Sequence, residues 1–135
     1  MRIQELGHVV VKVRDAQRAE HFYNKTLGIP VAGRIARPVP MVFFTLGHDH
    51  DFAVMELGTN GPSPDRNAAG LAHVAFKVGD SLDEFEATKR ELEAGGAVIL
   101  FELHHARTKG MHVHDPDGNE VELFVDLPPA ELTQR

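Results

Sequence analysis

Nine residues beginning at Gly7, GHVVVKVRD, return as AHVAFKVGD beginning at Ala72. From His8 and His73 onward both segments read H-V-x-x-K-V-x-D, and every shared residue is displaced by 65 positions. A pattern repeated at that distance makes the chain two copies of one supersecondary unit. After the first copy, Asp15 caps a helix expected over 16–27 with Ala19, Phe22, Tyr23 and Leu27 on one face, and Gly28 ends it. After the second, Ser81 and Glu84 have the spacing of a capping box for a helix over 82–94 that carries Leu82, Phe85 and Leu92 and closes at Gly95 and Gly96. Extended segments are expected at 30–35, 41–46 and 51–57 in the first half, and at 97–101, 109–114 and 119–125 in the second. The fold class is therefore α+β, two βαβββ modules at 5–58 and 70–126. A polar linker at 59–69 joins them, a short tail at 127–135 follows, and the whole of 1–135 forms a single domain.

Strand alternation places the polar residues. His8 shares a face with Val10 and Lys12, opposite Val9, Val11 and Val13, and His73 shares a face with Ala75 and Lys77, opposite Val74, Phe76 and Val78. In the last segment Glu120 and Glu122 lie on one face and Val121 and Leu123 on the other. Glu56 and Leu57 answer Glu122 and Leu123 at an offset of 66. A pseudo-twofold axis would bring His8 to His73 and Glu56 to Glu122, a donor set for a divalent metal. Two histidines and one carboxylate leave positions open for water, oxygen or a chelating substrate. Glu56 is either a fourth ligand or a polar neighbour.

Composition excludes other classes. With 20 acidic against 14 basic residues and no basic stripe, nucleic acid is not an expected partner. No cysteine is present, so disulfide frameworks, thiolate zinc sites and cysteine nucleophiles are ruled out. No apolar run reaches the length of a membrane span, and the N-terminal residues lack a secretory pattern, so a cytoplasmic location and no membrane partner are expected.

The segments LGHVVVKVRDAQRAEHFYNKTLGI at 6–29, GLAHVAFKVGD at 70–80 and DPDGNEVELF at 115–124 resemble the vicinal oxygen chelate superfamily, which includes glyoxalase I, methylmalonyl-CoA epimerase, fosfomycin and bleomycin resistance proteins and type I extradiol dioxygenases. The resemblance covers nearly the whole chain. It implies a glyoxalase/extradiol dioxygenase-like fold in which paired βαβββ modules form a cup around a metal held by His8, His73 and Glu122.

Two branches compete. HDHDFAV at 48–54 resembles the extradiol stretch whose histidine, here His50, stands over the open face of the iron, and a further histidine of that branch falls on His104 or His105. The ending LFVDLPPAEL also resembles single-module relatives of that branch. The tyrosine usual ten residues before the ligand glutamate is His112 here. This branch implies an Fe(II) enzyme that cleaves a catecholic ring, with His50 as acid and base and His104 and His112 in support. The glyoxalase I branch implies a lyase or isomerase with Glu56 inside AVMEL as fourth ligand or base, although the Asn-Trp-Gly feature common after that glutamate is missing. A third alternative is an antibiotic-resistance or small-molecule binding protein. The ligand set also accepts Ni(II), Zn(II), Mn(II) or Co(II). Relatives of this size usually pair as homodimers, which implies a dimer acting on a small molecule, with metal sites within one chain or shared between chains.

Overall fold

In a computed structural model of the protein, the structure describes residues 1–48, 50–58, 60–105 and 107–128. The expected tail at 127–135 lies outside the described residues beyond Pro128. The chain divides into two compact units, Met1–Ser63 and Pro64–Arg135. Each holds one four-stranded mixed sheet with few helices, so the α+β class and the two βαβββ modules stand.

In the first unit β1 (Val9–Val13) leads to α1 (Ala16–Glu20), then to a π-helical stretch His21–Thr26 and to β2 (Val31–Ile35), β3 (Met41–Phe44) and β4 (Phe52–Glu56). The strand order is β1-β4-β3-β2, with β1 and β4 parallel. Asp15 accepts from the backbone N–H groups of Gln17 and Arg18, which satisfies two orphan donors at the helix start. The expected helix at 16–27 is thus one continuous coil whose second half widens. That half carries Phe22 and Tyr23 into a core with Val11, Val13, Val42, Phe44, Phe52 and Val54. The Tyr23 ring lies 4.9 Å from that of Phe52 and meets Phe22 edge-on at 5.0 Å.

The second unit repeats the plan with β5 (Val74–Gly79), α2 (Leu82–Ala94), β6 (Phe101–His105), β7 (Thr108–His114) and β8 (Glu120–Asp126), in sheet order β5-β8-β7-β6. Ser81 Oγ accepts from the N–H of Glu84, and Glu84 returns a carboxylate oxygen to the N–H of Asp80. Phe85 and Leu92 of α2 are buried, as are Met111, Val113, Val121, Leu123 and Val125 on one face of the sheet. Fully burying each such side chain is worth about 1.5–3 kcal/mol. In the DPDG turn Asp115 Oδ1 accepts from the N–H groups of Asp117 and Asn119, and Gly118 takes φ 91°, a conformation that favours glycine.

One strand is displaced from its expected place. The apolar run at 97–101 predicted β6, but the strand runs from Phe101 to His105. Cross-strand partners decide this. Phe101 pairs with His112, and Glu102 reaches Lys89 of α2 at 2.8 Å, whereas Val98 finds no cover and is 73% exposed.

Candidate functional site

In each sheet the parallel pair formed by an edge strand and its neighbour carries polar residues. In the second unit Ala75 of β5 is paired with Glu122 of β8, and His73 stands just ahead of β5 on the same face. Across the antiparallel pair, His112 of β7 lies opposite Glu122. Side chains of paired residues share a face, so His73, His112, Glu120 and Glu122 gather on the side turned away from α2.

Their geometry is tight. His73 Nε2 lies 3.3 Å from Glu122 Oε1, and His112 Nε2 lies 3.8 Å from Glu122 Oε2. The His73 and His112 rings meet edge-on with centroids 5.1 Å apart, and ligand atoms of His73, His112 and Glu120 fall within 4.8 Å of one another. His112 is buried, 3% exposed, with its ring stacked on Phe101 at 4.3 Å. Its Nδ1 is 2.6 Å from Glu120 Oε2, and the other oxygen of Glu120 is paired with Arg66. Burial alone would raise the Glu120 carboxyl, yet the bonds to His112 and Arg66 together outweigh it and hold the group below its ordinary value. Glu120 is therefore ionised at neutral pH, and Nδ1 of His112 is the donor.

Gly110 makes room for this cluster. A Cβ at that position would stand 2.9 Å from Glu122 Cδ and closer still to its Oε2, so the carboxylate rests on bare backbone.

The first unit has a different inventory. His8 precedes β1, and its ring lies 5.3 Å from that of His50, which in turn meets Phe43 edge-on at 5.4 Å. Glu56 is not on that face. It pairs with Val13 on the core side, and its Oε1 accepts from the N–H of Ala16 at 2.9 Å, adding to the cap of α1. The register pairs Ala53 with Val10 as it pairs Glu122 with Ala75, so Ala53, not Glu56, occupies the place that corresponds to Glu122. The equivalence expected from the offset of 66 is replaced by one three residues away, and an odd displacement changes the face.

Of the other expected residues, His104 sits on β6 beside Glu102, and both alternate away from Phe101 toward α2, so His104 does not share the face of His112. His105 alternates with Phe101 onto the cluster's face and is exposed. Arg66, Phe101 and Gly110 were not singled out from sequence, and nothing in the linker marks Arg66. Alternation of Glu120 with Glu122 was the one available sign of the support around His112.

The donor set suits a divalent metal: imidazole nitrogens converge on a carboxylate within a few ångströms, with one imidazole braced from behind by a second carboxylate.

Fold and site together define a member of a two-module class with a candidate divalent-metal site. The chain belongs to the glyoxalase/bleomycin resistance protein/dioxygenase superfamily, whose family model matches residues 5–123. It is 30% identical to biphenyl-2,3-diol 1,2-dioxygenase 3 of Rhodococcus globerulus, over 95% of this chain and 67% of that protein. It is 27% identical to lactoylglutathione lyase of Escherichia coli O157:H7, over 90% of this chain and 92% of that protein. Of the dioxygenase relatives it matches, it spans between 42% and 67% of the length. Among solved structures, a glyoxylase/bleomycin resistance protein/dioxygenase domain from Frankia sp. EAN1pec matches with a TM-score of 0.78 at 19% identity, covering 93% of this chain and 99% of that one, a likeness of fold. Among the described residues, no helix is long and apolar enough to cross a membrane.

Proposed function

We propose that this chain is a ring-cleaving, extradiol-type dioxygenase acting on a catecholic substrate, with His8, His73 and Glu122 holding Fe(II) and His50 handling the substrate proton. The whole of 1–135 would act as one domain of two modules, 5–58 and 70–126, in a cytoplasmic homodimer. The observation that carries the choice is the pairing of His50 with His8, 5.3 Å between rings, on a face from which the Glu56 carboxylate is turned away.

A three-ligand set leaves positions for two adjacent substrate oxygens and for dioxygen, whereas a fourth carboxylate would close one of them. Bound Fe(II) supplies the Lewis-acid and redox chemistry of ring opening. The protein's part is to bind, orient and move protons. The imidazole of His50 is suited to take a proton from a substrate hydroxyl and return it after cleavage, because its ring nitrogens can both accept and donate. Phe43 beside it offers an apolar edge to an aromatic ring. Both atoms of one dioxygen enter the ring-opened product, so no external reductant is required.

A second reading is supported by size, since the lactoylglutathione lyase relative is matched over 92% of its length. That chemistry asks for a carboxylate at the metal to shuttle a proton between carbons, and Glu56 is engaged at α1. The experiment is to load the full chain anaerobically with Fe(II), add catechol or biphenyl-2,3-diol, and admit oxygen. Uptake of one dioxygen per ring opened is the expected result. No uptake with either catechol, together with turnover of a glutathione hemithioacetal by the Ni(II) or Zn(II) form, would overturn the reading in favour of the lyase.

A further inference from the structure

Resting on the metal-dependent reading above, we propose that His112 Nε2 takes the place of His8 as the second imidazole ligand, so that the second module carries a three-ligand set of its own in His73, His112 and Glu122 and three positions stay open.

Donors each about 2.1 Å from a common ion stand about 3.0–3.4 Å apart. His73 Nε2 and Glu122 Oε1 are 3.3 Å apart, within that range. His112 Nε2 and Glu122 Oε2 are 3.8 Å apart, too long for a hydrogen bond and a few tenths of an ångström from the spacing an ion would impose. The two oxygens of one carboxylate are thus approached by two different imidazole nitrogens.

The second nitrogen of His112 is occupied in the way a ligating histidine needs. Nδ1 donates to Glu120 at 2.6 Å, and Arg66 holds the other oxygen of that carboxylate. A carboxylate behind the ring fixes the tautomer and leaves the Nε2 lone pair facing the cluster. Phe101, stacked on the ring with planes 19° apart, holds its tilt. Glu120 is the brace rather than the ligand, because Arg66 and His112 already take both of its oxygens.

The chemical consequence is specific to this chain. A tyrosine at this place is a proton donor, whereas a histidine adds a neutral nitrogen and moves metal preference toward nickel, copper and zinc relative to manganese.

The test uses Cu(II) on the full chain and counts coordinated imidazoles by pulsed electron paramagnetic resonance. His8 is exposed ahead of β1, so His8→Ala leaves the core intact. The inference expects two coupled imidazoles in His8→Ala, one in the His8→Ala, His112→Gln double variant, and at least about a tenfold loss of Cu(II) affinity in His112→Gln. The His8→Ala count decides the matter even where the double variant does not fold. A single imidazole in His8→Ala with unchanged affinity in His112→Gln would overturn the inference and leave His8, His73 and Glu122 as the ligands. A wild-type chain that binds no Cu(II), or binds it equally well after His73→Ala and Glu122→Gln, would overturn both the inference and the reading beneath it.

Discussion

Glu56 Oε1 accepts the backbone N–H of Ala16 at 2.9 Å, on the sheet face opposite the one that carries His8. A carboxylate at a helix start satisfies an orphan amide and complements the dipole. Glu56→Gln keeps an acceptor and should leave melting temperature and metal stoichiometry close to wild type. Glu56→Ala should cost about 1 kcal/mol, the usual worth of a cap, again without loss of metal. Thermal melts beside metal titrations check both. A large loss of metal in Glu56→Gln would restore this residue to the ligand set.

The same residue marks where sequence reading ends. The matched dipeptides at an offset of 66 are real, but a strand's position is set by its ladder and its buried face, not by identities. Paired residues lie 43 apart in the first module, Val10 with Ala53, and 47 apart in the second, Ala75 with Glu122. That difference could not be read from the motif, because it depends on how the coil at Ala16–Thr26 and the strands after it are spaced. What was legible was local: the capping residues Asp15 and Ser81, the alternation around His8 and His73, and the span Leu82–Ala94. Reading 97–101 as a strand hides that His104 faces away from Phe101, and only the pairing of Phe101 with His112 fixes the face.

His50 tests the catalytic half of the proposal. Its ring sits between His8 and Phe43, so His50→Gln keeps a polar side chain of similar reach while removing the imidazole. Loss of a positioned acid or base typically costs about 10²–10⁴-fold in rate. The expected result is that loss in kcat, with anaerobic catechol affinity and metal content retained. Equal activity in His50→Gln would move proton transfer to another residue.

A pH signature away from the site comes from Glu20 and Arg34. Arg34 grips Glu20 with two bonds, Nε to Oε1 at 2.7 Å and Nη2 to Oε2 at 2.6 Å, tying the end of α1 to β2. The Arg34 hydrogen bonds pull the Glu20 carboxyl below its ordinary value, outweighing the opposing effect of burial. Because the folded value is the lower one, the stabilisation is fully present above the unfolded value of about 4.3 and is lost as pH falls through the folded value. Urea denaturation of wild type and Glu20→Gln should show the variant less stable at pH 7 and the gap closing in acid. A gap that stays constant down to pH 2 would mean the pair is screened in solution.

Gly110 offers the sharpest separation of site from scaffold. Its backbone is ordinary strand, so a side chain brings no conformational strain, yet a Cβ there would run into the Glu122 carboxylate. The carboxylate must then swing away from His73 and His112, while Met111 and Val113 beside it on the opposite face keep their buried places. Overpacking of this kind costs about 1–3 kcal/mol when a core must absorb it, but here the partly exposed Glu122 side chain can yield instead. Gly110→Ala should therefore fold with a melting temperature near wild type and lose metal affinity by at least about tenfold, as displaced or mis-aimed ligands do. Isothermal titration with Co(II) and a thermal melt on the same sample read the two effects apart. An unchanged Co(II) affinity in a folded Gly110→Ala variant would mean that Glu122 reaches its metal from a rotamer that does not rest on Gly110.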